Sequence, residues 1–247
     1  FVAVGVWNGA QRGIVRIGAP GHSRADHAEV SYNYFREFAQ RGVCVNEHAP
    51  GSRFARIFRN HFDTNILGDG KDGIAIGIGG GDGSSPGAVL RELEAVVEYN
   101  LLTEIGGGMG NSLQAKCSGN TFRFNTIENT SARLARIEIR AGRNCRLIGN
   151  AVLGSGGPVV LGDDHLVIGN YNDGGKHGNW ADMGPMAGTI DLDDDAGMAA
   201  GQHPAARNCL FAGNTGILRL GSGSRDWPVP AHGTIVEDHR GEIVDPD

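Results

Sequence analysis

The chain has 247 residues, of which 40% are hydrophobic, 6% are aromatic and 41 are glycine, and its net charge is −6. The hydrophobic fraction is sufficient for a continuous core, which argues against disorder, and the acidic balance argues against a general nucleic-acid or membrane-surface binder. No apolar run approaches the roughly 18 residues of a membrane span, and abundant glycine without collagen periodicity favours short strands joined by turns.

The N-terminal stretch already has strand character. Alternation in GIVRIG (13–18) indicates strands in progress, so we expect a mature or excised chain whose N-terminal cap is missing or very short.

The glycine-rich stretch at 68–90 lacks the Lys-Ser or Lys-Thr of a phosphate-binding loop, and we interpret it as an inserted loop. A second loop is predicted at 173–200, where three adjacent aspartates favour a solvated turn over a calcium site.

An Asn-x-apolar tripeptide recurs along the chain. Spacings of 20–27 residues correspond to one repeat, a spacing of 40 to one repeat with an insertion, and a spacing of 44 to about two repeats. The repeats begin at Asn33, Asn60, Asn100, Asn125 and Asn150, with looser copies at Asn170 and Asn214.

Each repeat is too short to bury its apolar residues alone, so the repeats must stack. Apolar positions alternate as in a strand, and no helix-length segment intervenes. One-strand-per-turn coils would give an all-β fold, a right-handed parallel β-helix that forms a single-stranded solenoid, with the Asn side chains in a ladder at one bend. We expect one domain over 1–247 with an irregular tail from about 224. The alternative, a β-sandwich with chance tripeptide matches, predicts no shared register.

Two matching segments carry cations at equivalent places. SGNTFRFNTI (118–127) is preceded by Lys116, and GRNCRLIGNAV (142–152) is preceded by Arg140. If the repeats stack, these two side chains will lie one above the other. Cys145 and Cys209 also share one slot of the repeat, which favours small buried core residues over a disulfide.

The stretches 96–102, 115–127 and 137–154 resemble polysaccharide lyase family six, the β-helical chondroitinase B and alginate lyases. Weaker similarity extends to NYFREF, RNHFD and GIAIG, so that the resemblance covers about two thirds of the chain. It implies cleavage of a uronate-containing polysaccharide, alginate or glycosaminoglycan-like, by β-elimination. In that reaction Lys116 matches the base, and Arg140 matches its partner near the leaving group.

The chemistry supports the same assignment. β-Elimination needs a base for the proton next to a carboxylate, a positive group to neutralise that carboxylate, and an acid for the leaving oxygen. A lysine whose pKa is lowered by neighbouring arginines can be the base. Five further residues are expected to bind the acidic polysaccharide: Arg136, Glu138, Arg143, Arg123 and Gln114.

The family's metal ligands are not matched. Two glutamates that bind calcium in the family correspond to Met109 and Asn111, and its metal-binding Asn falls near Asp69. The Arg within the family's Ile-Arg-Ile-Gly segment corresponds to Ala75. The family's His after the catalytic Arg is replaced as well, by an alanine. We therefore expect no metal site and no cofactor, with arginines taking over neutralisation; a rebuilt calcium site or a loss of lyase activity would also fit.

Other interpretations remain open. Lys116 and Arg140 are also compatible with solvent-facing strand residues, and Glu138 with a surface ion pair. A non-catalytic carbohydrate-binding or adhesion β-helix is the main alternative function, and a β-helical glycoside hydrolase, suggested by Asp163-Asp164-His165, ranks third. His48, His61 and His165 lack metal-ligand spacing. A secreted or periplasmic location follows from the expected substrate, while the oligomeric state stays open.

Overall fold

The computed structural model describes residues 2–4, 14–18, 24–39, 41–45, 52–66, 73–79, 91–106, 111–130, 135–154, 156, 158–173, 189–190, 203–204, 206–216, 218–219 and 233–244. Within these ranges every regular element is a β-strand, and the strand pairs are parallel. No helix in the described ranges has the length and apolar character needed to cross a membrane.

Three sheets contain most of the described strands, which are numbered in chain order. Sheet A contains β1 (Val2–Val4), β4 (Tyr34–Ala39), β7 (His61–Ile66), β10 (Leu101–Thr103), β13 (Thr126–Glu128), β16 (Ala151–Leu153) and β20 (Tyr171–Asn172). Sheet B contains β2 (Val15–Ile17), β5 (Arg41–Val45), β8 (Ile74–Ile78), β11 (Asn111–Ala115), β14 (Arg136–Ile139) and β17 (Val159–Val160). Sheet C contains β3 (Glu29–Ser31), β6 (Arg56–Phe58), β9 (Val96–Glu98), β12 (Thr121–Arg123), β15 (Arg146–Ile148), β19 (Leu166–Ile168), β24 (Leu210–Ala212) and β26 (Ile235–Glu237).

Three short strand pairs complete the described structure. They are β18 (Gly162–Asp163) with β23 (Ala206–Arg207), β21 (Thr189–Ile190) with β22 (His203–Pro204), and β25 (Leu218–Arg219) with β27 (Ile243–Val244).

The chain passes from sheet A to sheet B to sheet C and then begins the next coil, which makes a parallel β-helix. The predicted fold class is confirmed, but each regular coil has three strands rather than the one strand per turn expected from the sequence. The strands are short and separated by bends. The sequence pattern therefore identified only the part of each coil that lies beside the repeated Asn. The bend before that Asn takes a left-handed backbone, as at Tyr99 (φ 54°) and Phe124 (φ 55°).

The repeated asparagines form the predicted ladder at the bend between sheets C and A. Nδ2 of Asn100 donates to Oδ1 of Asn125 at 3.0 Å, and Nδ2 of Asn125 donates to Oδ1 of Asn150 at 3.0 Å. Each Nδ2 also reaches a strand carbonyl, so these buried amides are bonded on both sides. The complete ladder joins Asn33, Asn60, Asn100, Asn125, Asn150, Asn170 and Asn214.

The interior is filled by inward side chains stacked from coil to coil. The rings of Phe35 and Phe62 stack at 4.6 Å between centroids, and Leu102 and Ile127 continue the same column fully buried. Each such side chain contributes on the order of 1.5–3 kcal/mol by leaving water. The four cysteines are free and buried, as the sequence predicted for Cys145 and Cys209.

Three expectations about coil boundaries were wrong. The segment at 68–90 is not wholly an inserted loop, because β8 lies inside it and pairs with β5 and β11; its alternating Ile residues were obscured by the surrounding glycines. The tail beyond 224 contains β26 and β27, each paired with a preceding strand. The 44-residue spacing is one coil with an insertion, since Asn170 bonds directly to Asn214. The predicted loop at 173–200 lies almost wholly outside the described residues.

Candidate functional site

The site lies on the outer face of sheet B. In β11, Leu113 and Ala115 join the core, so Gln114 between them points outward. In β14, Ile137 and Ile139 join the core, so Arg136 and Glu138 point outward on the same face. Strand alternation therefore gathers these polar side chains on one surface.

Lys116 and Arg140 occupy equivalent positions in adjacent coils. Ala115 pairs with Ile139, and each cation is the next residue in its chain segment. The backbone continues this alignment, because the amide of Lys116 donates to the carbonyl of Ile78 at 2.9 Å and the amide of Arg140 donates to the carbonyl of Ala115 at 2.8 Å. Both cationic residues are partly exposed. The predicted stacking of these two positions is confirmed.

A buried polar row lies beside the two cations. Nε2 of Gln114 donates to Oε2 of Glu138 at 2.5 Å, and Nη2 of Arg136 lies 3.8 Å from Oε1 of the same carboxylate. Burial lowers the pKa of Arg136, against the opposing effect of the Glu138 charge, and the positive charge of Arg140 lowers it further. Arg140 therefore contributes to the electrostatic surroundings of Arg136.

Arg143 lies at the turn that follows this face. Its amide donates to Oγ of Ser118 at 2.9 Å, and its Nε lies 3.5 Å from Oδ2 of Asp163. Arg207 donates to both carboxylate oxygens of Asp163, from Nε to Oδ1 at 2.9 Å and from Nη2 to Oδ2 at 2.8 Å. Arg143 thus stands near the stacked cations along the chain, and a fixed carboxylate orients it.

Arg123 is not brought to this cluster. It belongs to sheet C, where its Nε donates to Glu98 at 2.7 Å, and Arg56 donates to the same carboxylate at 2.6 Å. Burial alone would raise the pKa of Glu98, but the hydrogen bonds from Arg123 and Arg56 hold it below its usual value. The sequence analysis grouped Arg123 with the substrate-binding residues because it is close to Lys116 along the chain, but the bend between sheets B and C places it on another sheet.

His165, which was considered for a hydrolase site, and His61 both have hydrogen-bond partners that hold them in the fold. His165 is buried, its Nδ1 accepts from the amide of Cys145 at 3.1 Å, and its Nε2 lies 3.1 Å from the carbonyl of Leu161. Burial lowers the pKa of His165 to about 4. His61 contacts Thr103 on sheet A at 2.8 Å, and His48 lies outside the described residues.

The sequence analysis did not identify Arg41, which lies on the outer face of sheet B. Arg41 is only 4% exposed, and its Nη1 donates to Sγ of Cys44 at 3.5 Å. The alternation of β5 is interrupted, because Gly42 and Val43 both face the core. Arg41 therefore faces outward despite standing two positions before a core valine, an arrangement that simple alternation does not reveal.

Most of the family's calcium-site positions lie outside the described residues, so the expected lack of a metal site stays a prediction. Ala75, at a family functional position, is a buried core residue, while Met109 and Asp69 lie outside the described ranges. Among the described residues no cluster of three or more His, Cys, Asp or Glu side chains is suited to a metal. Calcium takes six to eight oxygen ligands, which this set does not offer.

The chain is similar in structure to alginate lyases of polysaccharide lyase family 6, which confirms the sequence resemblance at the level of the fold. A mannuronic-acid-specific family 6 lyase from the human gut microbiota superposes with a TM-score of 0.61 at 16% identity, over 95% of this chain and 62% of that one. A PL6 alginate lyase in complex with a trisaccharide gives 0.63 at 15% identity, over 91% and 60%. The PL6 family alginate lyase AlyGC gives 0.61 at 16% identity, over 90% and 34%.

This chain thus spans about three fifths of the length of the first two structures. No protein-family model matches the sequence, and no curated protein matches it. The comparisons therefore establish a shared architecture.

Proposed function

We propose that this chain is a polysaccharide lyase that cleaves a uronate-containing polysaccharide, alginate or a glycosaminoglycan-like chain, by β-elimination. The observation that carries the proposal is the alignment of Lys116 with Arg140 in adjacent coils on the outer face of sheet B. Neighbouring strands lie about 4.8 Å apart, so two equivalent side chains can serve one sugar and the bond beside it. The fold shared with alginate lyases supports alginate as the first polymer to test.

Lys116 acts as the base in this proposal. Its neutral amine takes the proton from C5 of the uronate, next to the carboxylate, and the electron pair of the C5–H bond forms a C4–C5 double bond. The C4–O bond breaks with its electron pair remaining on the leaving oxygen, which takes a proton from water, and the Lys116 ammonium returns its proton to solvent. Arg140, one coil away, donates a hydrogen bond to that oxygen as negative charge develops on it. The products are a new reducing end and an unsaturated uronate.

The surrounding residues hold this arrangement and bind the acidic chain. Gln114, Glu138 and Arg136 form the buried row beside the two cations, and Arg143 extends the positive surface toward the next turn. An acidic polysaccharide substrate also favours a secreted or periplasmic location.

A product screen tests the function directly. Alginate, chondroitin, dermatan and polyglucuronate are each mixed with the protein, and the products are followed by ultraviolet absorbance and mass. Only elimination produces the absorbing unsaturated uronate, whereas hydrolysis adds water to each cleaved bond. Binding without cleavage on all four polymers would replace the lyase by the carbohydrate-binding alternative.

A further inference from the structure

Arg41 is a buried cation on the outer face of sheet B, and none of the described carboxylates pairs with it. Arg41 is 4% exposed, and among the described residues its side chain makes one hydrogen bond, to the weak acceptor Sγ of Cys44, and no ion pair. A guanidinium carries five N–H donors, and one contact to sulfur uses at most one of them. The side chain is thus held ready for an anionic partner.

A glycine gives this guanidinium its place in the face. Gly77 lies between the core residues Ile76 and Ile78, so its missing side chain would point outward. A Cβ atom at Gly77 would stand 3.1 Å from Nη1 of Arg41 and 3.5 Å from Cζ. Gly77 pairs with Gln114 in the next coil. The guanidinium therefore lies over the strand that adjoins Gln114.

Gln114 has an unused acceptor in the same row. Its Nε2 donates to the Glu138 carboxylate, which fixes the orientation of the amide because a carboxylate accepts and does not donate. Its Oε1 is buried and has no hydrogen-bond partner among the described residues. A buried acceptor left in this state is destabilising. One row thus presents an unused cationic donor and an unused neutral acceptor.

We propose that Arg41 and Gln114 form a uronate-binding subsite next to Lys116. The carboxylate of the sugar accepts hydrogen bonds from the Arg41 guanidinium, whose planar fork matches two carboxylate oxygens. A hydroxyl of the same sugar donates to Oε1 of Gln114. A neutral sugar satisfies only the second of these groups, so the ligand class is a sugar acid. The assignment rests on the proposed function, in which this contact neutralises the carboxylate beside the proton that Lys116 removes.

Binding by an oligomannuronate hexamer and by the same hexamer with reduced carboxyl groups tests the subsite. The titrations use the Lys116→Ala background, so that cleavage does not consume the probe. Arg41→Met should weaken binding of the acid hexamer about tenfold or more, because a charge-assisted hydrogen bond is lost. It should leave binding of the reduced hexamer unchanged. Arg146→Met, which removes an exposed guanidinium from sheet C, is the matched control and should leave both affinities unchanged.

Thermal unfolding separates a binding role from a structural one. Because Arg41 is buried and has no carboxylate partner in the described part of the chain, replacing it by an apolar residue of similar length should leave the melting temperature unchanged or raise it. If Arg41→Met does not fold, Arg41→Lys keeps the charge without the planar fork and should weaken the acid hexamer while remaining folded.

Failure of the subsite and failure of the lyase assignment give different results. Equal acid-hexamer affinity with and without Arg41, or equal losses for acid and reduced hexamers, overturns the subsite while cleavage by the wild type stands. Absence of cleavage together with an Arg41-dependent preference for the acid hexamer overturns the lyase and leaves the subsite. Failure of the Lys116→Ala protein and the wild type to bind the acid hexamer overturns the subsite as well.

Discussion

Nε2 of Gln114 donates a hydrogen bond of 2.5 Å to Oε2 of Glu138, and this contact joins the two strands that end immediately before Lys116 and Arg140. Both residues are buried, so the bond is not exchanged readily for one with water. It couples the positions of the proposed base and its partner to a fixed polar row. The reactive geometry therefore depends on residues that need not touch the reacting atoms.

Glu138→Gln should impair catalysis although Glu138 does not contact the reacting atoms in the proposed mechanism. The change removes the negative charge facing Arg136, so we expect a loss of about tenfold or more in kcat/KM and of about 1–3 kcal/mol in the free energy of unfolding. Steady-state kinetics and urea unfolding measure the two effects. Glu237→Gln, at an exposed position of β26, is the control and should change neither. Wild-type kinetics in Glu138→Gln would show that the polar row has no role in turnover.

An interior rung of the Asn ladder should matter more than the first rung. Asn125→Ala removes the acceptor of the Asn100 backbone and side-chain amides and the donor to Val97, so we expect a loss of about 2–4 kcal/mol in the free energy of unfolding. Asn33→Ala removes only donor contacts at the first described rung and should cost less. Chemical unfolding of both variants compares them, and equal losses would contradict the ladder's proposed contribution.

Stability should fall on mild acidification because of His165. Burial lowers its folded pKa to about 4, below the ordinary value of 6.5, so the unfolded chain binds more protons between these values. The contribution is therefore complete above the unfolded pKa and is lost as pH falls toward the folded pKa, on the order of 3 kcal/mol in all.

Urea unfolding at about pH 7 and about pH 4.5 measures this loss. His165→Gln keeps one donor and one acceptor without the titrating ring, so its unfolding free energy should change less between the two pH values. A variant with the full wild-type pH dependence would assign that dependence to other groups.

Chelation should leave the activity unchanged. The described residues around Lys116 do not provide the oxygen ligands that calcium needs, and arginines supply positive charge on this face. We therefore expect the same kcat/KM after dialysis against a chelator and after addition of calcium. Loss of activity with the chelator and its recovery with calcium would contradict this, and the ligands would then have to be sought at Asp69 or within 68–90.

The sequence predicted those features that repeat in register and missed those that depend on local irregularity. The ladder asparagines and the Lys116–Arg140 alignment follow from counting residues within stacked repeats. Arg41 was missed because two successive residues, Gly42 and Val43, face inward and reverse the alternation. Arg123 was misplaced because closeness along the chain does not show where a coil turns from sheet B to sheet C.

The most direct test of the account is the turnover of Lys116→Ala on the best polymer found in the substrate screen. With no neighbouring group in the proposed mechanism to replace the base, the variant should stay folded and lose several orders of magnitude in kcat, about 10²–10⁴-fold or more. Arg140→Ala should lose turnover as well as binding, whereas Arg123→Ala should be milder because its guanidinium is engaged with Glu98 on sheet C. Circular dichroism establishes that the variants are folded, and release of unsaturated uronate measures the rate. Wild-type release of unsaturated uronate by folded Lys116→Ala would contradict the assignment of this site.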